Sequence, residues 1–127
     1  MTTSARPAGQ RGAATLLVVA LCGVLMAVGA ATAAVGALVV DHRRTQAAAD
    51  LAALAAAGAL TGVSAVGATG EPCAVAGRIA TANGAEVIAC DLQGDTATIT
   101  VARDGPRWLG QAPRLRATAR AGPAPGV

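Results

Sequence analysis

Cys73 and Cys90 are the residues whose type and spacing point most directly to chemistry, namely oxidation to a disulfide. Joining them would close a loop of roughly 17 residues and contribute about 3 kcal/mol in the chain-entropy picture. Such a bond persists only in an oxidising compartment, which would put this part of the chain outside the cytoplasm. Two unpaired buried thiols are the alternative. Zinc-type cysteine spacing is absent, and two cysteines with one distant histidine make a poor ligand set, so no metal is expected. The third cysteine, Cys22, lies inside a long uncharged run and reads as a small buried hydrophobe.

The other polar groups offer less. His42 is the only histidine and stands beside Arg43 and Arg44, where solvation is a simpler role than catalysis. Asp91 and Asp95 flank a turn, a place that favours acidic residues for backbone reasons. There is no nucleophile elbow, no phosphate-cradling glycine loop and no clustered ligand set. No catalytic residue, cofactor or small-molecule substrate is therefore expected, and the chain does not read as an enzyme. All the basic residues are arginine, and five fall late: Arg103, Arg107, Arg114, Arg116 and Arg120. A basic patch can meet nucleic acid or anionic lipid. Here Pro and Gly interrupt it and no aromatic ladder accompanies it for base stacking, so nucleic acid is not expected as a partner. A solvated positive face is the plain reading. A face of Arg114, Arg116 and Arg120 that binds anionic envelope polymers or lipid is the functional alternative.

These residues must be positioned by a small chain. It has 127 residues, a net charge of +3 and one aromatic side chain, Trp108. A core of Ala, Val, Leu and Ile buries little area per residue, so the domain needs a staple, a partner or a membrane. Residues 13–40 carry no charge, and Arg6 and Arg11 precede them. As a helix this run would be roughly 42 Å long, enough to cross a ~30 Å hydrocarbon core. A cleaved secretory signal ending near Ala31-Thr32-Ala33 and a buried soluble helix compete with a retained span. The apolar character continues past Ala33 to a sharp edge at Asp41, an extension that a spanning helix requires and a removable signal does not. Flanking charge leans weakly toward a cytoplasmic N-terminus.

The expected organisation is a cytoplasmic leader over 1–12, a membrane-spanning helix over 13–40 and its extracytoplasmic continuation over 41–60. A linker over 61–70, a small α+β domain over 71–122 and a loose tail over 123–127 follow. Gly29, Ala33 and Ala37 repeat every four positions, as in stripes that let helices pack closely in lipid. In so alanine-rich a chain that spacing also arises by chance. Beyond Asp41, Leu51, Leu54 and Gly58 would share one face, with Ala47 and Ala55 alongside. Glu71-Pro72 opens a second helix with Val75, Ile79 and Ala82 inward, and Asn83-Gly84 closes it. Ile88, Cys90 and Leu92 alternate in a first strand. After the Gln93-Gly94-Asp95 turn, Ala97, Ile99 and Val101 face inward in a second strand. A third strand over 114–121 would turn Leu115, Ala117, Ala119 and Ala121 inward. The fold class is α+β, with a long N-terminal helix, a small helix and a two- to three-stranded antiparallel sheet.

The stretch from Arg43 through Thr45-Gln46-Ala47-Ala48-Ala49-Asp50-Leu51 to Ala55 resembles the corresponding segment of TadE-like proteins, pilin-like components of tight-adherence (Flp) pilus systems. Glu71-Pro72-Cys73, Ala82-Asn83-Gly84 and Cys90 are similar to the small actinobacterial subgroup, in which two cysteines sit at about this separation. The resemblance implies a bitopic minor pilin or pseudopilin in the cytoplasmic membrane, with its N-terminus in the cytoplasm and its C-terminal domain outside. Its expected partners are membrane lipid and other pilin-like or pilus-assembly membrane proteins. The resemblance also implies a prepilin-peptidase cleavage point at Gly12–Ala13. The chain departs from the pilin pattern at the fifth position after that bond, where pilins carry Glu and this chain has Leu17.

Overall fold

The computed structural model describes residues 10–63, 69–107 and 110–124, and the side chains from residue 12 onward. Most of the expected leader, the middle of the expected linker, Trp108 and the end of the expected tail lie outside the described residues. The chain is α+β: helix α1 (Gln10–Thr61), helix α2 (Pro72–Ala82) and strands β1 (Glu86–Gln93), β2 (Thr96–Asp104) and β3 (Arg114–Ala121). It divides into two units, Met1–Gly36 and Ala37–Val127.

In the first unit, every Leu, Val and Met from Leu16 to Val35 is exposed, Met26 at 79%, and so is Cys22, which was expected to be buried. The helix is apolar on all sides, a pattern suited to a non-aqueous surrounding. Thr32 removes its one hydroxyl from that surface by donating back to the carbonyls of Val28 and Gly29, at 3.1 and 2.9 Å.

The second unit holds the core. Its sheet is antiparallel in the order β1-β2-β3. Three rungs line the inner face: Leu92–Ala97–Ala121, Cys90–Ile99–Ala119 and Val87–Val101–Ala117. Ala48, Ala49, Ala52, Ala53, Ala56 and Ala57 of α1 join this face in one buried cluster, together with Ala76 and Ala80 of α2. The two-residue turn between β1 and β2 places Gly94 at φ +58°, as a tight hairpin of matching twist requires. Glu71 caps α2 by accepting from the backbone N–H groups of Cys73 and Ala74 at 3.1 and 2.8 Å. Gly84, at φ +72°, follows the C-cap Asn83.

Two expected faces need correction, on α2 and β1, while the face shared by Leu51 and Leu54 on α1 is the one turned away from the core. On α1, Leu51 and Leu54 are exposed at 47% and 62%, and the alanines between them are buried. Small side chains form the helix face in the core, and the leucines point away from it. On α2, Val75, Ala76 and Ala80 are buried, whereas Ile79 is half-buried and Ala82 exposed. On β1, a register shift between Val87 and Ala89 inserts Ile88 as an extra residue, so Val87 replaces Ile88 on the inner face.

Candidate functional site

The features that could carry function are a disulfide, an arginine-bearing strand and the surface of α1. Cys73 lies in the first turn of α2 and Cys90 in the middle of β1, with their Cα atoms 6.0 Å apart and their sulfurs bonded. The bond ties α2 to the sheet at the rung that also contains Ile99. A core made mostly of alanine gains from this covalent tie, because alanine burial alone supplies little hydrophobic free energy.

On β3 the alternation puts Arg114, Arg116, Thr118 and Arg120 on the outer face, all exposed. Arg114 donates to Glu86 Oε2 at 2.9 Å, the single ion pair among the described residues. Thr118 and Thr100 share a hydroxyl hydrogen bond at 2.9 Å across the β2–β3 pair. The three arginines of the functional alternative are thus on one surface, and one of them already has an acidic partner.

On α1, Gly12 and Ala13 lie exposed within the opening turns, since the helix begins at Gln10. Gly29 and Ala33 are exposed in the first unit, and a Cβ placed on Gly29 would meet nothing within 4 Å. Ala37, at the start of the second unit, is half-buried. In that unit Thr45 is a buried polar side chain, satisfied by donating to the Asp41 carbonyl at 2.8 Å. Gln46 donates both to Asp50 Oδ1 at 3.0 Å and to the Thr118 carbonyl of β3 at 3.4 Å. Gln46 and Asp50 stand four positions apart, a spacing that supports a helix, and they pair as that spacing implies, whereas nothing local announces the reach of Gln46 to β3 or the burial of Thr45.

His42 is exposed and lines an open groove with Leu38, Val39, Arg43 and Leu115. Asp91 accepts from the Gln93 amide at 2.8 Å, and both Asp91 and Asp95 are exposed. Among the described residues no group of three or more His, Cys, Asp or Glu side chains could hold a metal ion.

The helix is also the part of the chain that resembles a known family. Residues 12–59 match the family model of putative Flp pilus-assembly TadE/G-like proteins. The match runs almost the whole length of α1 and takes in neither α2 nor the sheet. No curated protein and no solved structure matches the chain. Within the matched segment, the helix is long and apolar enough to cross a membrane.

Proposed function

We propose that the chain is a membrane-anchored, pilin-like minor subunit or assembly factor of a Flp-type pilus or a related secretion apparatus. Its role in this reading is structural rather than catalytic. The leader is cytoplasmic, residues 13–40 span the cytoplasmic membrane, and the domain that follows lies outside. The observation that carries this reading is the TadE/G-like match over a helix whose large apolar side chains are exposed all round in the first unit. Such a surface is stable in lipid or against other apolar helices, and Gly29 and Ala33 permit close helix approach there. The Cys73–Cys90 bond supports the outward placement of the domain, because disulfides endure in oxidising compartments.

The test is the intact mass of the native protein from the membrane fraction, with and without reductant. A mass lacking the first twelve residues indicates pilin-type processing at Gly12–Ala13. The full mass indicates an unprocessed anchor. Recovery of a soluble chain cut near Ala33 would overturn the reading in favour of a secreted domain. Reductant adds the mass of two hydrogens if the disulfide is present.

A second reading draws on the shared outer face of Arg114, Arg116 and Arg120: a module that holds anionic envelope polymers or lipid. Replacing all three by Gln should then release the protein from envelope fractions. Unchanged retention counts against it.

A further inference from the structure

We propose that the groove lined by Leu38, Val39, His42, Arg43 and Leu115 seats one anionic glycerophospholipid. The groove lies wholly in the second unit, where α1 and the start of β3 form its walls. It encloses about 480 Å³, within the span of roughly 300–1,000 Å³ typical of small-ligand sites. Its composition is divided. Leu38, Val39 and Leu115 are hydrocarbon, and Leu38 and Val39 remain 40% and 49% exposed. His42 and Arg43 stand exposed beside them, able to donate to an anion.

A phosphodiester bearing acyl chains matches both parts at once. Its phosphate would meet Arg43 and His42, and the upper part of a chain would cover Leu38, Val39 and Leu115. A free phosphate would leave the apolar walls wet, and an uncharged lipid would leave Arg43 unmatched. Local charge favours the anion, because Arg43 and Arg44 outnumber Asp41, which is half-buried. The sequence supplies the depth, since the uncharged run ends at Val40 and His42 lies two residues beyond it. The inference rests on the proposed span: only if residues 13–40 cross the bilayer does the groove lie at the headgroups.

The test uses the full chain in nanodiscs of phosphatidylcholine containing a minority of phosphatidylglycerol, with native mass spectrometry of the released protein. Phosphatidylglycerol should be retained in preference to phosphatidylcholine. Arg43→Gln should lower that preference about fivefold, the weight of one basic group at an anionic surface. Arg107→Gln, which removes the same charge elsewhere, should leave it intact. Equal retention of both lipids, or equal loss in the two variants, overturns the groove assignment. Displacement of the lipid by glycerol 3-phosphate, which has no acyl chains, would reveal a bare phosphate site and also overturn it. Alkaline carbonate extraction separates the two levels of failure. A chain that washes out overturns both the span and the groove, whereas one that stays without lipid preference overturns the groove alone.

Discussion

Helix α1 contains two apolar stretches, one rich in Leu and Val and one in Ala, that meet their surroundings in opposite ways. From Leu16 to Val35 the leucines and valines are exposed on every side. From Thr45 to Ala57 the side chains in the core are alanines, at 8% exposure or less, and the two leucines in the same stretch point outward. Hydrophobicity alone therefore does not decide what a residue covers; size and the distance of approach decide it too. A bulky side chain on every face suits a fluid hydrocarbon solvent, which adapts to any shape. A methyl on one face lets a helix lie close against a sheet, where dense packing replaces bulk as the source of stability.

The largest test of this contrast places charge in the first stretch. Replacing both Leu21 and Leu25 by Arg should abolish stable membrane integration, since each arginine at a span centre costs about 2.5–3.5 kcal/mol on the insertion scale. Carbonate extraction should move the double variant into the soluble or aggregated fraction. If the variant stays in the membrane fraction, the first stretch is not a span.

Next in size is the staple of the second unit. Replacing both Cys73 and Cys90 by Ser removes a cross-link of sequence separation 17, worth about 3 kcal/mol. Thermal unfolding of the detergent-solubilised protein should shift down by many degrees, and reductant should reproduce the shift in the native chain. A melting point indifferent to reductant would mean that the alanine core carries the domain without help.

A third variant addresses the close approach itself. Ala52 is fully buried within the core cluster. Ala52→Leu adds apolar atoms and would be expected to stabilise if hydrophobicity were all that mattered. The packed surroundings instead predict a loss of about 1–3 kcal/mol from overpacking. A rise in melting temperature would show that the interface has room to spare.

These effects also mark what could be read from the sequence. Turn and cap residues are local signals, so Glu71-Pro72, Asn83-Gly84 and Gln93-Gly94-Asp95 located α2 and the hairpin closely. Strict alternation located β3 and its inward Leu115, Ala117, Ala119 and Ala121. A periodic reading follows the largest apolar residues, so it puts Ile79 of α2 inward and groups Leu51 with Leu54 without showing that their side of α1 faces away from the core. A tertiary requirement for small ones selected Ala52, Ala56, Ala76 and Ala80 instead. The shift at Ile88 was invisible, since a run of Val87, Ile88 and Ala89 offers either parity to the core. The groove at Leu115 joins residues more than seventy positions apart, and nothing local announces such a meeting.

The smallest effect tests the outward leucines. Leu54 is 62% exposed, so truncation removes little buried area, and Leu54→Ala should change the stability of the isolated chain by no more than about 0.5 kcal/mol. The same change should still matter where α1 meets another subunit, because an exposed Leu51–Leu54 pair on successive turns offers an apolar strip for a neighbouring helix. Crosslinking yield in native membranes, compared between the wild-type chain and Leu51→Ala/Leu54→Ala, separates these roles. A variant with unchanged melting and reduced crosslinking assigns the leucines to assembly. If melting falls by as much as for Ala52→Leu, the leucines support the domain itself, and the division of labour along α1 does not hold.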